Sequence, residues 1–494
     1  MQRTLLAAII AVVILSCSRH RETEFFTGRV DFPVQPNLGV KEAMAARVVP
    51  HQRQLEWQKL EMTAFIHFTI NTFTDMEWGT GKESPGLFNP SSLDADQWVR
   101  VLSDAGMKMV IITAKHHDGF CLWPTKTTTH SVASSPWKDG KGDVIRELKD
   151  ACDRHNMKFG VYLSPWDRNA ACYGDSPAYN RFYMEQLTEL LTWYGRVDEV
   201  WFDGANGEGP DGRRQEYDWQ AYYDLIRKLQ PDAVTAIMGE DVRWVGTESG
   251  YGRETEWSAT VLAPGGTPES VAINEALGIN AMSADLGSSS LLSRAEHLYW
   301  YPAEVDVSIR PGWFWHASED SLVKDVEKLA DIYLSSVGRN AVLLLNVPPD
   351  NRGLITDHDI RSLQGLKAWI DNLYSTDMLN GARPYGSGTS NLIDGDNSTS
   401  WSPRRKRVAS FVPAIAATFN TAMLQEDISR GQRVEKFVIE ALSGERWDTI
   451  ASGTTIGYRR LVRFPEVKAD EIRLTIVSSR ATPHISTFAL YNAD

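Results

Sequence analysis

Near the middle of the chain an apolar run ends in Trp201-Phe202-Asp203-Gly204, leaving one carboxylate at the tip of a segment that reads as a buried strand. Gly204 permits tight backbone passage beside a bound molecule. An aspartate in that place has two ordinary uses. It can cap the helix that follows a strand, or it can serve as one half of a carboxyl pair. Cleaving a glycosidic bond with retention needs such a pair, one member ionised as nucleophile and one protonated as acid, about 5 Å apart across the sugar. Glu240, Glu248, Glu254 and Glu256 follow in one segment and are the candidates for the second member. Burial against aromatic rings, or the ionised Asp203 nearby, would have to raise the pKa of the one that serves.

His67, His116 and His117 are the other groups with chemistry to offer. Clustered histidines often ligate zinc. Here no cysteine partners accompany them, no H-E-x-x-H helix occurs, and adjacent histidines at a strand end should point in different directions. No metal is expected. Hydrogen bonding to vicinal hydroxyls suits these side chains better. Trp313-Phe314-Trp315-His316 follows Gly312 and a strand end, and flat aromatic faces pack well on the C–H faces of sugar rings.

The elements that must position these residues alternate along the chain. Segments 63–68, 109–113, 159–163, 197–202, 233–238, 305–309 and 341–347 are short apolar runs that read as buried strands. Between them lie amphipathic stretches. Val144, Leu148 and Cys152 share one face of a helix over 143–156, while Leu322, Val326, Leu329 and Tyr333 repeat at helical spacing behind Glu319-Asp320. The βα alternation implies a parallel sheet. His67, His116-His117-Asp118, 164–167, Asp203, Gly239-Glu240, Arg310 and Asn346 all fall at strand C-terminal ends, as a TIM barrel requires around its mouth. A Rossmann sheet would need G-x-G-x-x-G in its first βα turn, which is absent. The fold class expected is α/β, a TIM-like (β/α)8 barrel over 51–355. Its sixth strand is not evident, and 246–290, rich in Gly, Ser and Thr, reads as long loops over the mouth. A connecting helix is expected within 356–381. Helical periodicity then gives way to short alternating runs over 382–494, an all-β sandwich.

A chain of 494 residues is long enough for two such domains. Its net charge of -13, without a basic stripe, argues against nucleic acid as a partner. Arg3, an apolar run from Leu5 to Leu15 and then Ser16-Cys17 form a signal-peptide layout, too short to span a membrane. Ile14-Leu15-Ser16-Cys17 resembles a bacterial lipobox, so 1–17 is expected to be a lipoprotein signal peptide with lipidation at Cys17. The mature protein would be exported and lipid-anchored, periplasmic or at the cell surface. Segment 18–50, with weak periodicity, reads as a tether and lead-in. Cys121, Cys152 and Cys172 are too few for a disulfide framework, and Cys152 reads as core.

Several motifs, in order, carry a family resemblance over roughly 55–355. Thr63-Ala64-Phe65-Ile66-His67-Phe68 with Asn71, Glu77-Trp78-Gly79, Lys115-His116-His117-Asp118-Gly119-Phe120 with Trp123, Trp201-Phe202-Asp203-Gly204 and Leu343-Leu344-Leu345-Asn346 resemble the family-29 alpha-L-fucosidases. By that resemblance Asp203 is the nucleophile. Arg243-Trp244-Val245-Gly246-Thr247-Glu248 is similar to the acid/base segment of the subgroup acting on α-1,3/1,4-linked fucose, which makes Glu248 the acid/base, with Thr247 standing where Asn is more usual. The resemblance places His67, Glu77, Trp78, His116 and His117 in the fucose pocket, with Trp123, Trp166 and Trp315 beside them. It implies a retaining exo-glycosidase acting on fucosylated oligosaccharides or glycoconjugates, without a cofactor. A barrel glycosidase of other specificity, such as a galactosidase, and a non-catalytic glycan-binding surface protein are the competing readings. Leu392-Ile393-Asp394-Gly395-Asp396-Asn397-Ser398-Thr399-Ser400-Trp401 looks like the opening of discoidin-type modules, many of which bind sugars.

Overall fold

The computed structural model describes residues 24–209, 211–415 and 418–493. The expected signal peptide and Cys17 lie outside them. Eight parallel strands close into a barrel: β1 (Met62–Ile66), β2 (Met109–Lys115), β3 (Lys158–Leu163), β4 (Glu199–Phe202), β5 (Val234–Ile237), β6 (Val242–Trp244), β7 (Ala303–Ser308) and β8 (Ala341–Asn346). Nearly every strand residue is buried, because helices cover the outer face and side chains fill the inner one. The helices between strands include α1 (Ala95–Asp104), α2 (Val144–His155), α3 (Ser176–Trp193) and α4 (Trp219–Leu229), each N-capped by an aspartate. Cys152 is buried on the inner face of α2, as its spacing predicts.

The sixth strand is the one sequence periodicity could not find. It has three residues, and only 238–241 separate it from β5, with no helix between. Asp241 holds this tight connection: its carboxylate accepts the amide and hydroxyl of Thr235 and pairs with Arg53 and Arg227. The long excursion from β6 to β7 is more than loops. It contains α5 (Pro268–Leu277), a helix at Ser289–Arg294, and strands Ala259–Thr260 and His297–Trp300, which pair with each other, the second also pairing with Arg29–Asp31.

Within the span read as a tether and lead-in, 18–50, the described residues from 24 onward carry regular structure. Phe26–Thr27, Arg29–Asp31, Leu38–Ala45 and Val48–Val49 are ordered elements, packed against the excursion through Val30, Ala45, Val48 and Leu298. Short strands that pair only with distant segments leave no local periodicity to read. The helix that follows, Gln52–Gln58, closes the lower end of the barrel with Trp57, whose indole donates to Glu199 at 2.8 Å.

Beyond β7, the expected helix behind Glu319-Asp320 is two elements. A short 3-10 turn, Ala317–Leu322, leaves Leu322 exposed, and α6 (Val326–Ser336) starts afresh from Asp325. Helix α7 (Asp357–Leu373) follows β8 and receives Arg310, which does not face the mouth as its strand-end position suggested. The Arg310 guanidinium is buried, paired with both oxygens of Asp359 at 3.0 and 2.8 Å and with Asp320.

The C-terminal domain is two antiparallel sheets around a core of Trp401, Phe411, Phe437, Leu474 and Phe488. Strands β9 (Arg383–Tyr385), β10 (Val408–Val412), β11 (Thr418–Glu426), β12 (Val434–Ser443), β13 (Arg446–Gly453), β14 (Arg460–Lys468), β15 (Glu471–Ser479) and β16 (Ile485–Tyr491) order as β9-β10-β15-β12-β13 and β14-β11-β16. Fold class and sandwich thus match the sequence expectation.

Asp359→Ala is expected to destabilise the barrel by ~3–5 kcal/mol, because it strips a buried guanidinium of its main counter-charge. Urea unfolding followed by tryptophan fluorescence measures it, and a loss below about 1 kcal/mol would contradict this account of Arg310.

Candidate active site

The C-terminal ends of the strands surround a cavity of about 670 Å³. Asp203 stands at its floor, one residue past β4. Its Oδ1 accepts the Ala205 amide at 2.7 Å and its Oδ2 accepts the Tyr162 hydroxyl at 3.1 Å. Both bonds fix the carboxylate's rotamer. The position is therefore a turn cap as well as a cavity residue. Gly204 has an ordinary role: a Cβ there would meet only the Met238 side chain, at 3.5 Å and beyond, so close passage does not require glycine. Gly312 is where space decides, since a Cβ would fall 2.6 Å from Glu77 Oε1.

The histidines are neutral and their tautomers are fixed by their neighbours. Asn346 uses its amide hydrogens on Ser308 Oγ and Trp313 O, so its Oδ1 accepts from His67 Nδ1 at 2.8 Å and leaves His67 Nε2 as a bare acceptor. Burial pushes the His67 pKa down to about 3. Ser164 donates its proton to Trp166 O at 2.6 Å, so His117 Nδ1 donates to Ser164 Oγ at 2.7 Å and its Nε2 faces Asp203 Oδ2 at 3.7 Å. Burial, followed in weight by the neighbouring imidazoles, also holds His116 well below the usual histidine range. Neutral acceptors of this kind suit sugar hydroxyls, which donate readily.

Contrary to the expectation that adjacent histidines diverge, His116 and His117 both line the cavity, with ring centroids 4.1 Å apart. They lie just past β2, where the chain turns and alternation no longer applies. Lys115 and Asp118 of the same motif turn inward instead: Lys115 binds Asp167 and Gln186 at 2.9 Å each, and Asp118 accepts the Phe120 amide and the Thr69 hydroxyl. His116, His117 and Asp203 are also the group of described residues that could offer ligand atoms to a metal ion. His117 Nδ1 and both Asp203 oxygens are already in hydrogen bonds, and Asp203 is the one charged donor in the set.

Glu248 rises from the loop after β6 and shares the cavity with Asp203. Its Oε2 accepts the Trp313 indole at 3.3 Å. Partial burial raises its pKa, and the charges of Asp203 and Glu77 raise it further. The other candidate acids are committed elsewhere. Glu256 is buried in ion pairs with Arg243 and Arg253, Glu254 pairs with Arg339 and Arg460, and Glu240 faces a separate pocket beside Asp241.

Glu77 and Trp78 reach the cavity from the β1–α1 loop. Both oxygens of Glu77 are taken by the 313–316 segment: Oε2 by the Trp313 amide at 2.8 Å, and Oε1 by the Phe314 amide at 3.1 Å and His316 Nε2 at 2.8 Å. Glu77 thus holds the Trp313 wall in place. Trp78 is half exposed and stands edge-on to His117 and Trp166.

Three expected tryptophans are placed differently. Trp123 is fully buried outside the cavity, its indole bonded to Glu189 at 2.8 Å. Trp315 turns away to donate to Asp320 at 3.2 Å, and Trp313, two residues earlier, lines the cavity in its stead. Trp166 backs the wall behind His117 and Trp78 without reaching the cavity surface. Sequence reading also missed Tyr162, Trp201, Trp244 and Asp306. Tyr162 and Trp201 sit inside apolar strand runs, where the period-2 alternation that points them inward was the available signal.

The Alpha-L-fucosidase family model matches residues 44–373. This chain belongs to the alpha-L-fucosidase family. It is 41% identical to Alpha-L-fucosidase 1 of Arabidopsis thaliana over 465 residues, covering 90% of this chain and 87% of that one. Among solved structures, a protein from Bacteroides ovatus is 55% identical with a TM-score of 0.90, over 95% of this chain and 78% of that one. A Ruminococcus gnavus family-29 fucosidase in complex with fucose is 30% identical with a TM-score of 0.80, over 94% and 97%. The similarity to these structures extends over the C-terminal sandwich as well as the barrel.

Tyr162→Phe keeps the ring stacked on Trp201 but removes a hydrogen bond to a charged group, worth ~1.5–3 kcal/mol. Its kcat/KM on an aryl fucoside is expected to fall by about 10- to 100-fold with the fold intact by circular dichroism. A variant as active as the wild type would show that Asp203 does not depend on that hydroxyl.

Proposed function

We propose that this alpha-L-fucosidase removes terminal alpha-L-fucose with net retention, Asp203 acting as nucleophile and Glu248 as acid and base. The observation that carries the reading is the unequal pair: a carboxylate with two donors at the cavity floor, and a glutamate above it whose acidity is weakened by burial and by that carboxylate. In the first step Asp203 Oδ2 bonds to the anomeric carbon as the glycosidic C–O bond breaks, and Glu248 gives its proton to the departing oxygen. In the second, Glu248 takes a proton from water, the water oxygen bonds to the anomeric carbon, and Asp203 leaves as carboxylate. Two carboxyls and water suffice; no cofactor enters. His67 Nε2 and His117 Nε2 are acceptors for ring hydroxyls, and the rings of Phe65 and Trp313 offer an apolar surface for the C6 methyl that separates fucose from galactose.

The cavity exceeds what one monosaccharide fills. It is also lined by Leu262, Val271, Asn274, Ile279 and Asn280 from the excursion, which leaves room for the sugars that follow fucose in a branched glycan. This supports α-1,3/1,4-linked substrates, as does the Glu248 segment. Asp394, Gly395, Asp396 and Trp401 of the sandwich support a discoidin-like module that binds glycan beside the barrel. Leu15-Ser16-Cys17 supports export of a bacterial lipoprotein held to the membrane by its lipidated Cys17.

Asp203→Ala is expected to abolish turnover of an aryl fucoside with the fold intact by circular dichroism; full activity would end the mechanism. Glu248→Ala should impair natural glycans far more than aryl fucosides, whose leaving groups need little protonation. Equal losses on both would assign Glu248 a structural role, and faster turnover of an aryl galactoside would overturn the sugar assignment. Because an acid with a raised pKa must stay protonated to act, kcat/KM on glycans should fall as pH rises through that pKa, and on aryl fucosides much less. Superimposable pH profiles on the two substrates would remove Glu248 from the acid role.

A further inference from the structure

Three acids point into the barrel from β4 and β7, and none has a cation partner among the described residues: Glu199, Glu304 and Asp306. Each instead accepts one indole N–H. Trp57 donates to Glu199 at 2.8 Å, Trp201 to Glu304 at 2.7 Å and Trp244 to Asp306 at 2.8 Å. The second oxygens of Glu199 and Glu304 have no hydrogen-bond partner among the described residues, and burial raises the pKa of both carboxyls. Both are sealed from solvent and have no further task. Asp306 differs. It is 3% exposed, lines the cavity shared by Asp203 and Glu248, and among the described residues no side chain pairs with its second oxygen. A carboxyl in that setting, with Glu304 beneath it and Glu248 beside it, is surrounded by acids and would be repelled as an anion.

We propose that Asp306 is a further substrate-contacting residue, a neutral carboxylic acid whose free oxygen donates a hydrogen bond to a hydroxyl of the sugar bound between Trp244 and Glu248. It complements the histidines. His67 and His117 present bare acceptors, so a pocket for a polyol also needs donors, and Tyr162 is committed to Asp203. Burial raises the Asp306 pKa well above the ordinary aspartate range, and the charges of Glu304 and Glu248 act in the same direction. Hydrogen-bond donation by a protonated acid places a dipole, not a second negative charge, next to the nucleophile.

The inference rests on the fucosidase reading and is tested by substitutions that separate donor from charge. Asp306→Asn keeps the shape, the indole acceptor and a donor. Its kcat/KM on an aryl fucoside is expected within about 3-fold of wild type, while Asp306→Ala falls by about 10- to 100-fold, chiefly through KM. Asp306→Ser, too short to reach, should fall with alanine and replaces it if melting curves show that alanine does not fold. An Asn variant as impaired as Ala would mean that the group works as an anion, and an unimpaired Ala variant that it touches nothing; either overturns the proposal. Trp244→Phe tests whether Asp306 acts only through the indole. The alanine loss should persist in that background, and its disappearance would reduce Asp306 to an anchor for Trp244. Wild-type turnover of the fucoside tests the parent reading on its own. An active wild type whose Asp306 variants all match it would sink this proposal alone, and an inactive wild type would sink both.

Discussion

The proposed mechanism depends on one constraint at the mouth of this barrel, two carboxyls in one enclosure of which one has to be ionised and the other protonated. Two like groups in one cavity would ordinarily compete for a single proton, and the environment decides which keeps it. Asp203 is given donors: a backbone amide and a phenol whose own ionisation is suppressed by burial and by the Asp203 charge. Glu248 is given an aromatic neighbour and one long indole contact. The imidazoles around them are kept neutral, so they neither compensate Asp203 electrostatically nor lower the acidity barrier at Glu248. A protonated histidine at either position would stabilise the carboxylates and erase the difference between them.

The same logic extends downward through the barrel. Filling a barrel with side chains usually means branched aliphatic layers. Here Phe65, Met109, Ile111, Val234 and Leu344 supply part of that layer, while acids and indoles supply the rest. Each acid orients one ring, and two of those rings, Trp201 and Trp244, are cavity walls. A ring fixed only by dispersion can rotate within its packing. One tied by its N–H to a buried acid has a single orientation, because leaving that acid without its donor costs ~1–3 kcal/mol. The barrel interior therefore gives up some apolar burial in exchange for walls set at fixed angles.

Much of the barrel was legible because its strands are buried on both faces and appear as uninterrupted apolar runs. Asp203, His67, His116, His117, Glu77, Trp78 and Glu248 all reach one cavity, and they were found from ordered motifs, not from any single spacing. What escaped detection did so for identifiable reasons. Strand β6 is shorter than any periodicity can register. Strands near the N-terminus pair with the excursion more than 200 residues later, a relation no local window contains. Tyr162, Trp201 and Asp306 are polar or amphipathic groups facing the barrel interior, and the apolar run that identifies their strands hides them. Trp123 and Trp315 misled because a tryptophan near a strand end serves the core as well as it serves a ligand. Which of the two it serves is decided by where its indole N–H finds an acceptor, Glu189 and Asp320 in these cases.

The loop that carries Glu248 is short of internal support, so its position has to come from outside. It begins at β6, whose Arg243 is buried and paired with Glu256. Glu256 in turn lies on a strip that the sandwich grips: its amide donates to Thr455 at 3.0 Å, its carbonyl accepts Gln432 at 2.9 Å, and the Ser258 amide donates to Gln432 at 2.7 Å. Arg460 of β14 adds bonds to the carbonyl and carboxylate of Glu254 at 2.8 Å each. A buried guanidinium tolerates little displacement of its counter-charge, because separating the two leaves both desolvated. The sandwich edge, Glu256 and Arg243 thus form one chain of buried polar contacts that ends at the strand from which the Glu248 loop departs. The C-terminal domain is in this sense part of the site's foundation, whatever else its outer surface binds, and that accounts for a continuous network of buried polar bonds between two domains that each have a core of their own.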